Sequence, residues 1–97
     1  MILIDPPLVE WRGRSWSHLA SDASLAELHD FARQLGVPER GFDGDHYDLP
    51  AEYYDDALAA GAQPVRSREL VRRITAAGLR RRKSPGQRAR RLTPPAG

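Results

Sequence analysis

Met1-Ile2-Leu3-Ile4-Asp5-Pro6-Pro7 is the stretch that decides the predicted fold. Its short apolar run, with β-branched residues, is typical of a strand buried on both faces. The proline pair forces the chain to leave the sheet directly after this strand. Asp5 is therefore predicted at the carboxyl end of the strand, which is where open α/β sheets bind ligands.

Three later segments have the apolar spacing and the end signals of helices. Residues 24–35 begin with a Ser-x-x-Glu capping box and stop at a glycine. Residues 51–60 follow a proline suited to a first helical turn, and residues 68–77 have Ser67 as the predicted N-cap.

The remaining segments offer less regular structure. Residues 8–20 show no helical period and little strand alternation, so they are expected to be irregular, while residues 63–65 are a minimal edge strand. Strands separated by helices favour an α/β fold, here a small sandwich with a short, mainly parallel sheet and about three helices. Residues 1–79 are predicted to form this single domain, and residues 80–97 a disordered basic tail.

Size and composition exclude several classes of protein. The 97 residues suffice for one domain, and the absence of cysteine excludes a disulfide framework and a thiolate zinc site. The first residues contain neither a basic segment nor a long apolar run, so we expect no signal peptide, no membrane partner and a cytoplasmic protein.

The net charge of +2 hides a strong segregation of charge along the chain. Residues 1–65 contain four Arg against twelve Asp and Glu, a balance of −8, whereas residues 66–97 contain eleven Arg and Lys against Glu69 alone, a balance of +10. A basic segment of this kind can bind nucleic acid, or it can fold back on its own acidic body.

The densest group of reactive side chains is Asp43-Gly44-Asp45-His46-Tyr47-Asp48. In extended backbone, His46 and Asp48 share one face, and Asp45 and Tyr47 share the other. Imidazole titrates near neutral pH and can act as acid, base or metal ligand. Two histidines with one or two aspartates can bind a divalent metal and leave a position open for water.

This chemistry selects the candidate site residues, with roles assigned by residue type. The predicted catalytic residues are His46, Asp48, His18 and Asp22, the predicted ligand-binding residues are Asp5, Arg14, Trp16, His29 and Tyr47, and the predicted ligands of a divalent metal are His18, His46 and Asp48. They describe a His/Asp cleft that serves a metal-assisted or phosphate-directed hydrolase or a ligand-binding domain, with nucleotide or nucleic acid as the possible partner of the cleft or the tail.

Structural alternatives stand beside each functional interpretation. Asp5 is also suited to capping a turn, the tryptophans to covering a small core, and His29 to packing against it. Asp48 is suited to capping the next helix while His46 ties down the loop. A non-enzymatic nucleic-acid-binding protein that acts through the arginine-rich tail, and a structural or partner-binding domain, are the alternative functions.

Several short motifs resemble a known family. Trp16-Ser17-His18-Leu19, Asp45-His46-Tyr47-Asp48 and Ser67-Arg68-Glu69-Leu70 are similar to motifs of a small bacterial and phage family, domain of unknown function four-zero-three-one. The resemblance covers about residues 2–79 and leaves out the basic tail. It implies the limits of the domain and adds no activity, cofactor or catalytic residue.

Overall fold

The structure is a computed structural model that describes residues 1–81, so most of the predicted disordered tail lies outside the described residues. The strands are β1 (Ile2–Ile4), β2 (Val9–Trp11), β3 (Arg14–Ser21), β4 (Tyr47–Pro50) and β5 (Gln63–Pro64). The α-helices are α1 (Leu25–Leu35), α2 (Tyr54–Ala59) and α3 (Ser67–Ala76), and two short 3-10 helices cover Glu39–Gly41 and Ala51–Tyr53.

All five strands form one mixed sheet, and most of its pairings are antiparallel. β3 pairs antiparallel with β1, β2 and β4, and the parallel contact among the described residues is the short one between β1 and β5. The expectation of a mainly parallel sheet is therefore wrong. The physical reason is the connection between β2 and β3, because a two-residue turn can only join antiparallel strands.

That turn consists of Arg12 and Gly13, whose φ angles of 52° and 73° are both positive. This is the backbone of a type I′ hairpin, whose twist matches that of the flanking strands. Residues 8–20 are thus mainly a β-hairpin, and the prediction that they are irregular is wrong. β1 and β2 pair with successive parts of β3, with the Asp5–Leu8 segment as an interruption between them.

Helices cover both faces of the sheet, which makes the fold an α/β sandwich. One face carries Ile4, Leu19 and Leu49 and packs against α1 and α2, and the other carries Leu3 and Ala20 and packs against α3. Side chains alternate between faces along a strand. His18 and Asp48 therefore lie on the face that α3 covers.

The helix ends show which side chains hold the elements together. The Glu27 amide donates to Ser24 Oγ at 3.1 Å, which confirms the predicted cap of α1. α3 begins at Ser67 itself, with Arg66 as its N-cap, so the prediction that Ser67 caps this helix is wrong. No helix within residues 1–81 combines the length and the apolar content needed to cross a membrane.

Candidate functional site: a buried cluster of histidine and aspartate

Asp5 occupies the point where β1 is interrupted. Its amide donates to the His18 carbonyl at 3.2 Å, as in an antiparallel ladder. The His18 amide, however, donates at 2.6 Å to the Asp5 carboxylate rather than to a backbone carbonyl. Because Pro6 and Pro7 turn the chain away at this residue, the side chain takes the place of the missing ladder partner.

The same carboxylate also orients the His18 ring. Asp5 Oδ2 lies 2.6 Å from His18 Nδ1 and 2.6 Å from Ser67 Oγ, which donates from the first residue of α3. Asp5 is 1% exposed. A carboxylate at Nδ1 fixes the imidazole tautomer with the proton on that nitrogen, so the lone pair of Nε2 remains available.

His46 is held in a similar way by the turn that precedes β4. Gly44, with a φ of 78°, turns the chain so that the Asp43 amide donates to the His46 carbonyl at 2.7 Å. Asp45 Oδ1 then lies 2.6 Å from His46 Nδ1, and Asp48 Oδ1 lies 3.2 Å from His46 Nε2. His46 therefore has one ring nitrogen on each of two carboxylates.

The pairing of β3 with β4 brings the two histidines together. His18 is in register with Asp48, and the His18 and His46 ring centroids are 5.1 Å apart with an interplanar angle of 77°. Each of His18, His46 and Asp48 offers one ligand atom, and these atoms all lie within 4.8 Å of one another. The predicted metal ligands thus meet in one buried place, although they come from segments almost thirty residues apart in the chain.

The residue types of the cluster suit a divalent transition metal. Bonds of about 2.0–2.2 Å place two ligands of a tetrahedral ion about 3.4 Å apart, which is close to the 3.2 Å between His46 Nε2 and Asp48 Oδ1. The whole set extends to 4.8 Å, so the side chains would have to move closer together to bind one ion. Asp48 Oδ2 is buried and has no hydrogen-bond partner within residues 1–81. A cavity of about 30 Å³ lies against both imidazoles and Ser67, and that volume is sufficient for one ion or water molecule.

The carboxylates also control the charge of the site. Burial alone lowers the pKa of His46, but the hydrogen bonds to Asp45 and Asp48 outweigh it and raise this pKa to about 9. For Asp45, burial raises the pKa, and the hydrogen bonds from His46 and from the Arg81 amide outweigh that effect and lower it. In the absence of an ion, His46 is therefore an imidazolium held between two carboxylates at neutral pH.

Asp22, a predicted catalytic residue, lies away from this cluster. Its carboxylate accepts hydrogen bonds from Arg73, the shorter at 2.6 Å, and pairs with the amino group of Met1 at 3.1 Å. Asp22 adjoins the amino end of β1 whereas Asp5 follows its carboxyl end, so the two are separated along the strand by about 10 Å. The structure assigns Asp22 a place in an ion-pair network.

His29 and Tyr47, two predicted ligand-binding residues, lie on the opposite face of the sheet. The His29 Nδ1 atom is 2.7 Å from the Tyr47 hydroxyl, and the His29 ring packs on Phe42 with a centroid distance of 4.6 Å. Tyr47 is 2% exposed and belongs to the core beneath α1. His29 therefore packs against the core, which was the structural alternative to a ligand-binding role.

Arg14 and Trp16 line a separate groove next to the cluster. The groove has a volume of about 360 Å³, and its wall also includes Trp11, Tyr53 and Asp48. Asp48 therefore belongs both to the wall of the groove and to the cluster with His18 and His46. Trp16 and His18 share a face of β3, because side chains alternate between the faces of a strand.

Four residues around the cluster were not among the predicted site residues. They are Asp43, whose Oδ2 lies 4.0 Å from His46 Nε2, Asp45 at His46 Nδ1, Ser67 at Asp5, and Arg80, whose Nη1 lies 3.5 Å from Asp45 Oδ2. A carboxylate adjacent to a histidine is a usable signal for Asp45. Ser67 has no such local signal, since its contact with Asp5 spans 62 residues.

Comparison with known proteins gives a family and no activity. The model of the family described as Protein of unknown function (DUF4031) matches residues 2–77, which is most of the chain and nearly all of the residues that the structure describes. No curated protein and no solved structure matches the sequence. The matched segment contains the whole His/Asp cluster apart from Arg80, and the chain belongs to the DUF4031 family.

Proposed function

We propose that this domain is a metal-dependent hydrolase whose divalent ion is bound by His18, His46 and Asp48. The observation that carries the proposal is the convergence of three buried ligand atoms within 4.8 Å. Imidazole with carboxylate is a donor set that suits zinc, manganese or iron better than magnesium or calcium. The oxygen-only coordination that the latter two ions prefer is not offered here.

The surrounding carboxylates support this proposal. Histidines that bind metals usually donate their second ring N–H to a carboxylate or a carbonyl. Asp5 at His18 Nδ1 and Asp45 at His46 Nδ1 reproduce that arrangement twice, each at 2.6 Å. His46 Nε2 then lies 3.2 Å from Asp48 Oδ1, and the second oxygen of Asp48 is buried without a hydrogen bond in the described part of the chain.

His18, His46 and Asp48 would hold the ion and leave a coordination position open. The ion would supply Lewis-acid activation of a water molecule for ester or phosphoryl hydrolysis. The contribution of the protein is to hold the imidazoles in one tautomer and to exclude bulk water from the ligand set. The buried positions of His46 and Asp48, 2% and 5% exposed, supply the second effect.

Metal binding is the first test. Purified protein is stripped with EDTA, and Zn²⁺, Mn²⁺ and Mg²⁺ are then titrated, with bound metal quantified after equilibrium dialysis. We expect one Zn²⁺ or Mn²⁺ per chain in the wild type, and loss of this ion in His18→Gln and His46→Gln. His29→Gln is the matched control, because it removes the one imidazole outside the cluster. Equal binding by wild type and His46→Gln would refute the metal site.

Hydrolysis is the second test. Bis(p-nitrophenyl) phosphate and p-nitrophenyl acetate are suitable probes for phosphodiester and carboxylic ester cleavage. Turnover should require added metal, stop with EDTA, and be absent in His46→Gln but present in His29→Gln. A protein that binds the ion and cleaves neither probe would be a metal-dependent ligand-binding domain. That is the alternative to a hydrolase that the sequence offered for the His/Asp cleft.

A second candidate function rests on the charge segregation of the chain. Residues 82–97 alone contain five Arg and Lys and no acidic residue, which favours nucleic-acid binding by this basic segment. Deleting these residues retains every described residue. Loss of oligonucleotide binding and of its salt dependence in the deletion variant supports the candidate, whereas unchanged binding would refute it.

A further inference from the structure

The groove beside the His/Asp cluster has the chemistry of a nucleotide site. We propose that it binds one nucleotide, with the base against Trp16 and the phosphate directed toward the ion at Asp48. The inference deepens the proposed function, because it names the substrate class of the same centre and rests on that centre for the phosphate. It covers free nucleotides and single-stranded nucleic acid, since both present the same base and phosphate.

The size and position of the groove support this assignment. Its volume of about 360 Å³ lies in the range of small-molecule sites, which begins at about 300 Å³. Asp48 is part of its wall and is also one of the three converging ligands. The groove therefore meets the proposed centre through Asp48, the residue that the two have in common.

The aromatic residues of the groove provide a surface for a planar base. Trp11, Trp16 and Tyr53 all contribute to its wall, and the two indole rings meet edge to face with a centroid distance of 6.0 Å. Trp16 Nε1 donates to the Trp11 carbonyl at 3.2 Å, which fixes the orientation of its ring. Base stacking on aromatic side chains is how proteins bind nucleotides without reading their sequence.

The face of Trp16 is covered by an exposed and displaceable side chain. The exposed Arg14 guanidinium lies over this ring, 5.5 Å from the centroid, and the same group pairs with the exposed Glu52. A face that a solvent-exposed side chain reaches is also a face that a base can reach. Arg14 can remain stacked beside the base or turn to its phosphate, since guanidinium binds both planar rings and phosphate oxygens.

The charges along the groove favour an anion once the ion is present. Arg14 and Arg40 oppose Glu52 and Asp48 in the wall, so the four side chains balance one another. A divalent cation on Asp48 gives the groove a net positive charge. Phosphate, bound by the ion and Arg40, is the complementary group, while the apolar Pro38 and Pro50 of the same wall suit the base.

The test compares ligands with and without a base. AMP and ribose 5-phosphate are titrated into the full chain with Zn²⁺ and with EDTA, and tryptophan fluorescence is measured. We expect the affinity for AMP to exceed that for ribose 5-phosphate by about 5- to 150-fold, which is the gain from stacking one base on an aromatic ring. Trp16→Leu should abolish that difference while the affinity for ribose 5-phosphate is retained. Equal affinities for the two ligands in the wild type would overturn the inference.

A surface variant covers the case in which Trp16→Leu fails to fold. Arg40→Gln removes an exposed cation of the groove, and Arg33→Gln is its matched control, because Arg33 is an exposed residue of α1 that pairs with Asp30. Arg40→Gln should weaken both ligands about equally, and Arg33→Gln should leave both unchanged. An equal effect of the two variants would contradict a phosphate position near Arg40.

The outcomes separate this inference from the proposed function. AMP binding that persists in EDTA and is lost in Trp16→Leu supports the groove even if no metal binds. Metal binding without any AMP or oligonucleotide binding overturns the groove and leaves the metal centre. Fluorescein-labelled oligothymidine distinguishes free nucleotides from single-stranded nucleic acid. If the protein binds the oligonucleotide more tightly than AMP and Trp16→Leu reduces this preference, the ligand of the groove is a single strand. The variant retains the basic residues 82–97, so their contribution to binding cancels in the comparison.

Discussion

Metal-free protein should lose stability as the pH rises from about 6 to 9, because folding raises the pKa of His46. This pKa changes from 6.5 to about 9 when the imidazole is placed between Asp45 and Asp48. A raised pKa means that the folded state binds the proton more tightly. The resulting stabilisation is complete below pH 6.5 and disappears as the pH passes through 9.

The magnitude follows from the size of the pKa change. One pKa unit corresponds to about 1.4 kcal/mol, so His46 contributes about 3 kcal/mol to the free energy of unfolding at pH 6 and little above pH 9. The residue is 2% exposed, so solvent does not screen its contacts. For a domain of under 100 residues, this loss corresponds to a decrease in Tm of about 12–24 °C.

Urea unfolding in EDTA at pH 6.0, 7.5 and 9.0 measures the effect, with tryptophan fluorescence as the signal. The quantity compared between variants is the slope of the free energy of unfolding against pH, not its absolute value. His46→Gln removes the titrating group and should flatten the pH dependence, whereas His29→Gln should retain the wild-type slope. If the wild type and His46→Gln show parallel profiles, the hydrogen bonds of His46 do not hold its proton in the folded state, and the reasoning fails.

Three further predictions concern the ion, the core and the hairpin. Zn²⁺ at 100 times its dissociation constant should add about 2.7 kcal/mol to the free energy of unfolding, and EDTA should reverse the gain; a Tm that does not respond to Zn²⁺ would contradict the site. Leu19→Ala removes a fully buried side chain and should cost about 2–5 kcal/mol in urea unfolding, with a loss below 1 kcal/mol as the contrary result. Gly13→Ala places a Cβ at a φ of 73° and should cost about 1–2 kcal/mol, and an unchanged urea midpoint would argue against the type I′ turn.

Residues close together in the chain were sufficient to predict the helices and the first strand. The cap at Ser24 and the left-handed Gly36 after α1 are both confirmed, because they depend on residues close together in the chain. The alternation that placed His46 and Asp48 on one face is confirmed by the 3.2 Å contact of their side chains. These predictions rest on periodicity, which does not require knowledge of the partner.

The sheet was harder to predict because its signals are short or interrupted. β2 has three residues, and Pro6 and Pro7 conceal that β1 and β2 follow one edge of β3. β3 itself has serine and histidine among its buried residues, so it lacks the apolar alternation of a strand. An Arg-Gly pair is also a weaker hairpin signal than Asn-Gly.

Some of the candidate site residues lie together and others do not, and strand register decides which. His18, His46, Asp48 and Asp5 meet because strand register places them together, and residue type alone selected them. Asp22 was selected by the same criterion, but it lies beyond the other end of the β1–β3 pairing. Residue chemistry does not indicate which end of a strand a side chain occupies, and that depends on pairings that the sequence did not reveal.

The carboxylate of Asp5 accepts hydrogen bonds from the His18 amide, the His18 ring and Ser67. All three donors belong to β3 or α3, so the first imidazole is oriented as soon as these elements dock. Orienting this imidazole is thus part of folding, and an ion bound at the proposed site would find it already in place. The domain should therefore remain folded after EDTA has removed any metal. In this it differs from small zinc domains, which fold only when their metal is bound.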